Sequence, residues 1–409
     1  MSLTDPKTFL KSGHLPTLLA AFLYFDFSFM CWVLLGPLGI QISKALHLDP
    51  AHKGLMVATP VLAGAFLRIF NGVMVDHFGA KRAGIFAQVL VIAGLAAAWY
   101  FGVPSFDAIL LVGVVLGMGG ASFAIALPMA SRWYPPEHQG KAMGIAGAGN
   151  MGTVIASLAA PALGLAFGWV NVFGMAAVFM CLVLAAFILL AKDAPVQPPK
   201  QTLAGYLRVL AIGDTWWFMF FYAVTFGGFV GLASSLSIYF HSQYGLAPVQ
   251  AGYAVAACVF AGSLFRPIGG WLADKIGGIA ALSVLYVVAA AMLILISFGL
   301  PTLPMALAAF IFAMLALGTG NGAVFQLVPI RFGREIGVMT GLVGCAGGIG
   351  GFYLASSLGF SKQWTGSYQS GFLIFAGLAL IAFIGINVVK KHWRASFSQG
   401  FASGVVPKI

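Results

Sequence analysis

Charged residues are scarce in this sequence. They make up 8% of its 409 residues, whereas hydrophobic residues make up 61%. Soluble globular domains carry about 25% charged residues, so this chain has too little charge to cover a surface that faces water on all sides. The composition therefore excludes an ordinary soluble protein and predicts an integral membrane protein.

Acidic residues, cysteines and histidines are also few. The chain has ten aspartates and glutamates, and its four cysteines lie far apart within apolar runs. We interpret the cysteines as small core residues rather than disulfide partners or metal ligands. The seven histidines fall in loops or near the ends of apolar runs. Because no catalytic or metal-binding cluster emerges, the sequence predicts neither an enzyme nor a bound metal or cofactor.

Long apolar runs are abundant, and short clusters of charged residues separate them. A helix of about 20 apolar residues crosses the hydrocarbon core of a bilayer, which is about 30 Å thick. The runs predict an all-α integral membrane protein with twelve transmembrane helices, called spans one to twelve, near residues 16–40, 52–76, 83–103, 107–131, 142–166, 170–191, 213–241, 248–273, 280–300, 304–329, 337–360 and 370–390.

Lysine and arginine are distributed unequally between the loops. With both termini cytoplasmic, the cytoplasmic segments hold sixteen of the 21, and the outer loops hold Lys44, Lys53 and Lys362. Because positively charged loops stay in the cytoplasm, this bias predicts a multi-pass protein of the cytoplasmic (inner) membrane with both termini inside. It also accounts for the formal net charge of +11 without binding to nucleic acid.

The chain contains an internal repeat. AGAFLRIFNGVMVD at 63–76 and AGSLFRPIGGWLAD at 261–274 share five identical residues at a constant offset. A polar, proline-rich segment at 192–212 separates the copies, so we predict an N-terminal six-helix bundle at 1–191, a cytoplasmic linker, and a C-terminal six-helix bundle at 213–409. Transporters built from such repeats hold their substrate at the repeat interface, near the bilayer midplane.

The loops after spans two and eight carry a recognisable motif. NGVMVDHFGAKR and GGWLADKIGG resemble the G-x-x-x-D-x-x-G-x-[KR] motif of the major facilitator superfamily, although the second copy lacks the terminal basic pair. The resemblance implies that superfamily's fold, with two pseudo-symmetric six-helix bundles. It also implies that Asp76 and Asp274 act in gating; the alternative is that both are solvated loop acids.

Two arginines lie where a membrane disfavours them. Arg68 falls deep in span two, and the repeat places Arg266 at the equivalent depth of span eight. An arginine at the centre of a membrane helix costs about 2.5 to 3.5 kcal/mol on insertion scales, so both require a reason. Snorkelling or structural pairing is one; the other is that both guanidinium groups face a cavity and bind an oxyanion. Because no third intramembrane lysine or arginine is available, a small monoanion fits best.

GAGNMG in span five matches G-x-G-x-x-G, the fingerprint of dinucleotide-binding folds. That fingerprint requires a strand before it and an acidic residue about 20 positions later, but nothing acidic lies between Glu137 and Asp193. We interpret its glycines instead as small residues that let a neighbouring helix pack closely. An asparagine in such a span, Asn150, needs hydrogen-bond partners and can donate to an anion.

GAGNMG and the GLVGCAGGIGGF of span eleven resemble the two signature motifs of the nitrate/nitrite porter family within this superfamily. The resemblance extends over the whole chain, including the arginines of spans two and eight. It implies a nitrate site formed by Arg68, Arg266, Asn150, Tyr222, Phe226 and Phe123, of which the three aromatics would otherwise be interpreted as core. It also implies gating roles for the signature glycines Gly147, Gly149, Gly152, Gly344, Gly347 and Gly348.

Span one contains an acid, Asp26, about 15 Å into the membrane. Such a carboxyl either has a permanent structural partner or exchanges a proton. If one proton enters with each nitrate, the site carries a net charge of +1 both empty and loaded, which balances the two states that must cross the membrane. Together with the resemblance, this balance favours nitrate uptake by nitrate/proton symport. We expect the protein to act as a monomer.

Three other functions are compatible with the two arginines. Nitrate/nitrite antiport follows if the empty, doubly positive site cannot return alone. A transporter of formate-like monocarboxylates would also use two arginines. An anion channel would use them as well, but it does not account for the loop motifs or the repeat.

Overall fold

The computed structural model describes residues 9, 11–195, 203–332 and 335–398. Among these residues, twelve helices are long and apolar enough to cross a membrane, which confirms the all-α fold with twelve spans. In order, spans one to twelve are Leu15–Trp32, Pro50–Phe78, Ala80–Phe101, Phe106–Ser131, Ile145–Phe167, Trp169–Leu190, Gly213–Tyr244, Pro248–Ile276, Gly278–Ser297, Leu303–Arg331, Ile336–Thr365 and Gln369–Trp393.

Span one is shorter than predicted. We expected one helix over 16–40, but the helix ends at Trp32, and turns lead to a short helix at Gly39–Ala45. Pro37 has no backbone N–H to continue the helix, and a Cβ on Gly36 would lie 2.7 Å from the carbonyl oxygen of Ser234 in span seven. The chain therefore turns here in close contact with the C-terminal half.

Two spans are interrupted within the bilayer. Span four consists of helices Phe106–Gly120 and Phe123–Ser131, joined by a turn. In span five, a 3-10 helix at Ala148–Met151 lies between helices Pro136–Gly147 and Gly152–Phe167. Irregular backbone at membrane depth is tolerated only where protein or a cavity surrounds it, so both breaks mark the interior of the bundle.

Within each half, two helices are in close contact through glycines, and the two contacts lie at equivalent positions of the repeat. A Cβ on Gly117 of span four would lie 2.8 Å from the backbone nitrogen of Gly64 in span two. In the second half, a Cβ on Gly318 of span ten would overlap the backbone of Gly262 in span eight. Close helix approach through small residues is a common means of packing in membranes, and here it follows the sequence repeat.

The interface between the halves also depends on small residues. Spans two and eleven pack along much of their length, and spans five and eight form a second contact. A Cβ on Gly348 would lie 2.6 Å from the Cβ of Ala65, and a Cβ on Gly54 would lie 2.9 Å from the Cα of Gly359. No larger side chain fits at these positions without separating the helices.

A helix at Leu203–Leu210 lies in the segment predicted as the linker. We call the end of the bundle that carries it the linker end, and the opposite end the far end. Tyr206 is buried, and its hydroxyl lies 3.4 Å and 3.5 Å from where Cβ atoms would stand on Gly72 and Gly341. These glycines belong to different halves. Burial and the nearby Asp76 raise the pKa of Tyr206, so a neutral phenol occupies this junction.

Candidate functional site

Arg68 is the most tightly held of the predicted site residues. Its Nε donates a hydrogen bond to the carbonyl of Gly120 at 3.1 Å, and its Nη1 donates to the carbonyl of Gly344 at 2.6 Å. Gly120 precedes the break in span four, and Gly344 belongs to the glycine signature of span eleven. The arginine is 2% exposed. Two backbone carbonyls, one from each half, thus fix its orientation.

Aromatic rings surround the Arg68 guanidinium. Its central carbon lies 4.9 Å from the ring centre of Phe226, 5.5 Å from Trp32 and 5.6 Å from Phe123. Cation–π contacts in dry surroundings contribute about 2 kcal/mol or more. They offset part of the cost of burying the charge without neutralising it.

Arg266, in span eight, contacts Phe123, one of the three rings beside Arg68. Its guanidinium carbon lies 5.5 Å from the ring centre of Phe123, and its Nη2 donates to the Tyr222 hydroxyl at 3.4 Å. Tyr222 stacks on Phe226 at 5.1 Å, with ring planes 3° apart. The structure therefore brings together Arg68, Arg266 and all three predicted aromatics.

Both arginines have donors without acceptors. Within the described residues, Arg68 Nη2 and Arg266 Nη1 are buried and have no hydrogen-bond partner. The ion pairs found in the same part of the chain are Asp49–His52, Asp76–Arg132 and Asp214–Arg331, none of which involves either site arginine. A buried charged donor without an acceptor is strongly unfavourable. The pair therefore has the chemistry to bind an anion with at least two oxygen atoms.

Asn150 lies in the 3-10 helix of span five. That helix packs against span one and against span eight, the span that carries Arg266. The asparagine is 2% exposed, and its Oδ1 has no hydrogen-bond partner among the described residues. Its position at the inner break agrees with a polar role, although its part in anion binding stays a prediction.

The glycine signature of span eleven packs directly on the site. Gly344 supplies the carbonyl that accepts from Arg68. A Cβ on Gly347 would lie 2.7 Å from the ring of Tyr222 and 2.9 Å from that of Phe226. Gly348 meets span two, as described above. These glycines therefore hold the arginine and the stacked rings together, and their gating role stays a prediction.

Gly152 belongs to the glycine signature of span five and has no space for a side chain. The structure does not describe the surroundings of Gly149. A Cβ on Gly147 would meet only Leu127, at 3.9 Å, whereas a Cβ on Gly152 would overlap the backbone carbonyl of Asp26 and lie 2.9 Å from the nitrogen of Met30. Spans one and five are therefore in backbone contact at Gly152.

Replacing Gly147 and Gly152 by alanine, one at a time, tests the close packing at Gly152. We expect Gly152→Ala to destabilise the protein by about 1–3 kcal/mol, the usual cost of overpacking, and Gly147→Ala to leave stability unchanged. Thermal unfolding of both variants in the same detergent measures the difference. Equal melting temperatures for the two variants would contradict the close contact at Gly152.

Asp26 lies beside Gly152, in the interior of span one. It is 4% exposed, and its Oδ1 has no hydrogen-bond partner among the described residues. The carboxyl forms no ion pair within the part of the chain that is described, so an arginine is not its permanent partner there.

The two predicted gating acids differ. Asp76 pairs with Arg132 at 3.4 Å, which joins the linker ends of spans two and four. Asp274 is exposed. In the second half, Arg331 pairs with Asp214 of span seven at 2.7 Å instead. Among the described residues, the ion pair of Asp76 therefore has no counterpart at Asp274, and the gating roles of both acids stay predictions.

Two aromatics at the site were not anticipated from the sequence. Trp32 lies over Arg68 and donates from its Nε1 to the carbonyl of Pro60 at 2.7 Å. Phe325 of span ten packs edge-on against Tyr222 at 5.0 Å and lies 5.9 Å from Phe123. Both extend the aromatic lining around the arginines.

Comparisons with known proteins agree with this architecture. Residues 18–355 match the family model of the Major Facilitator Superfamily. The chain is 32% identical over 367 residues to the "nitrite extrusion protein" of Bacillus subtilis, covering 90% of this chain and 91% of that protein. It is also 32% identical over 364 residues to the "probable nitrate/nitrite transporter NarK2" of Mycobacterium tuberculosis, covering 87% of this chain and 91% of that one.

Solved structures with low sequence identity share the fold. A bacterial homologue of the human lysosomal transporter Spinster, in an inward-facing and unoccupied conformation, matches with a TM-score of 0.72 and 19% identity. The match covers 97% of this chain and 100% of that one. The human organic anion transporter MFSD10 matches with a TM-score of 0.68 and 16% identity, covering 91% and 99% of the two chains.

Proposed function

Since the chain belongs to the nitrate/nitrite porter family of the Major Facilitator Superfamily, and is therefore a transporter rather than an enzyme, we propose that it carries nitrate or nitrite across the cytoplasmic membrane by alternating access. The linker end and both termini face the cytoplasm in this proposal, as the distribution of lysine and arginine favours. Nitrate uptake is the direction that we infer.

The pair of unpartnered donors on Arg68 and Arg266 supports the substrate assignment. Nitrate is planar and carries one delocalised charge over three oxygens, so its edge can accept from both guanidinium groups while aromatic rings lie against its faces. One nitrate leaves a net charge of +1 on the two arginines. A buried, aromatic lining strengthens these hydrogen bonds because it limits competition from water.

Proton coupling is the finer part of the proposal and depends on Asp26. Nitrate entry opposes a membrane potential by about 2.3 kcal/mol per 100 mV, and one proton carried with each nitrate removes that penalty. Asp26 is buried, lacks an ion pair among the described residues and lies in contact with the span-five signature. These features suit an acid that is charged in the empty state and neutral in the loaded one.

Nitrate/nitrite antiport is the second candidate. A relative in Thermus thermophilus, 28% identical over 413 residues, bears the name "probable nitrate/nitrite antiporter NarK1". If Asp26 stayed permanently neutral, the empty site would carry both arginine charges, and its return without an anion would be unfavourable.

Uptake into proteoliposomes distinguishes symport from antiport. For symport, an inward proton gradient should drive accumulation of labelled nitrate into vesicles that contain no nitrite. If uptake required internal nitrite and ignored the pH gradient, the coupling proposal would be wrong, and antiport would replace it.

Competition tests the substrate. Nitrite and chlorate should inhibit uptake of labelled nitrate more strongly than formate does, because chlorate has three acceptor oxygens and nitrite has two oxygens and a nitrogen lone pair, whereas formate has two oxygens and a C–H group that accepts no hydrogen bond. Stronger inhibition by formate than by nitrite would overturn the nitrate assignment in favour of a monocarboxylate.

A further inference from the structure

A second cationic feature lies at the far end of the bundle, away from the arginine site. A cavity of about 620 Å³ opens where the two halves meet. Its lining includes Lys44, Lys53 and Lys362, the three lysines of the predicted outer loops, together with His241. Two of these lysines belong to the first half and one to the second. Their convergence follows from the fold and not from their positions in the sequence.

Among the described residues, the lining has no acid to balance these charges. Its twenty residues include no aspartate or glutamate. Asp49, which immediately precedes span two, is held by His52 through both the backbone N–H and the imidazole, each at 2.8 Å. Lys362 donates one hydrogen bond to the carbonyl of Gly366 at 2.7 Å and lies 5.4 Å from the ring centre of Tyr368, and it forms no ion pair among the described residues. The cavity is therefore electropositive.

A buried hydroxyl adds a donor to this lining. Ser43 is 5% exposed, lines the cavity, and its Oγ has no hydrogen-bond partner among the described residues. Gly54 and Gly359 also line the cavity, and their close contact joins spans two and eleven there. The cavity therefore lies at the far end of the same interface that carries the hydrogen bond from Arg68 to Gly344.

We propose that this cavity, which we call the lysine vestibule, is a capture site for small inorganic monoanions before they reach the arginine site. This inference rests on the proposed function, since it places the vestibule on the outer side of an anion transporter. Lysine ammonium groups are flexible, strongly hydrated point charges, whereas arginine offers a rigid fork. The vestibule therefore concentrates anions and releases them quickly, and the arginine site selects among them.

Transport kinetics provide the first test. A cleft lined by one sign of charge raises the local concentration of opposite charges by about 10–10³-fold. Neutralising the vestibule in the triple variant Lys44→Gln, Lys53→Gln and Lys362→Gln should raise the KM for nitrate at low ionic strength at least about threefold. The maximal rate should change much less, and the difference in KM should vanish in about 1 M salt, where the Debye length is about 3 Å.

Two matched triple variants serve as controls. Replacing the same three lysines by arginine keeps the charge and should keep the wild-type KM. Replacing Lys192, Lys390 and Lys391 by glutamine removes the same charge at the linker end and should also leave the KM unchanged. An unchanged KM in the vestibule variant, or an equal rise in the linker-end variant, would overturn the proposal.

A chemical probe measures the potential of the vestibule without transport. Ser242 lines the cavity and is exposed, so Ser242→Cys, in a chain with the exposed Cys181 replaced by serine, can be labelled with anionic and cationic methanethiosulfonates. The ratio of anionic to cationic labelling rates should fall at least about threefold when the three lysines become glutamine. If the wild-type chain moved no nitrate but this ratio still fell, the cavity would be shown to attract anions, and the proposed function would be wrong.

The lipid composition of the vesicles separates two sources of anion. With zwitterionic lipid alone, the effects on KM and labelling should persist, because the ligand comes from solution. If both effects appeared only in vesicles with phosphatidylglycerol, the lysines would bind lipid headgroups, and the capture role would be wrong.

Discussion

Replacing Arg68 with lysine is expected to lower the initial rate of nitrate uptake at least about 100-fold, because hydrogen bonds to charged groups contribute about 1.5–3 kcal/mol each. Lysine keeps the charge but lacks the planar fork. It cannot donate to Gly120 and Gly344 in the Arg68 geometry and still present a donor to the substrate. Uptake into proteoliposomes at equal protein content measures the loss.

The matched control is Arg208→Lys, at an exposed arginine of the linker helix. It should leave uptake within about twofold of wild type, since exposed charges contribute little. Size-exclusion profiles and melting temperatures show whether the Arg68→Lys protein is folded. A folded Arg68→Lys protein with near wild-type uptake would refute the role of the guanidinium in binding the anion.

The second large effect is expected at Asp26. Asparagine has nearly the shape of a protonated aspartate but cannot release a proton, so Asp26→Asn should abolish uptake driven by a pH gradient. One pH unit is worth about 1.4 kcal/mol, which allows up to tenfold accumulation of nitrate at one proton per anion. The variant should show no accumulation, while its exchange of labelled for unlabelled nitrate continues at a similar rate.

Asp107→Asn is the control for this change, since Asp107 is an exposed acid in the first turn of span four. It should keep gradient-driven uptake. If Asp26→Asn also accumulated nitrate under a pH gradient, the proton would have to bind elsewhere. Loss of both accumulation and exchange would instead assign Asp26 a structural role.

The twelve spans were predictable because membrane helices need apolar runs of fixed length, and the ends differ by a few residues at most sites. Span one is the exception. Its apolar run continues past Trp32, so hydropathy gave no reason to end the helix there. The cause is Pro37, together with the contact between Gly36 and Ser234. The contact between Gly36 and Ser234 is a tertiary contact, which composition does not reveal.

The arginines were predictable because a charge at membrane depth is costly and therefore indicates a function. Their backbone acceptors were not, because every residue has a carbonyl and the sequence does not show which one is available. Phe325 had a signal that was missed. Aligning GMGGASFAIALP at 117–128 with GTGNGAVFQLVP at 318–329 by their shared glycines and proline puts Phe325 one position from the equivalent of Phe123.

The hydrogen bond from Arg68 to Gly344 joins span two to span eleven and so crosses from one half to the other. When two rigid bodies rotate against each other, points near the axis move least and points at the ends move most. If this 2.6 Å contact is kept during the proposed transport cycle, it acts as a fulcrum, and an anion bound at Arg68 would stay almost still while the ends of the bundle open and close. If it is broken, Arg68 gains a free donor at the moment the halves part. In either case, the hydrogen bond to the Gly344 carbonyl would couple the relative movement of the two halves to anion binding at Arg68.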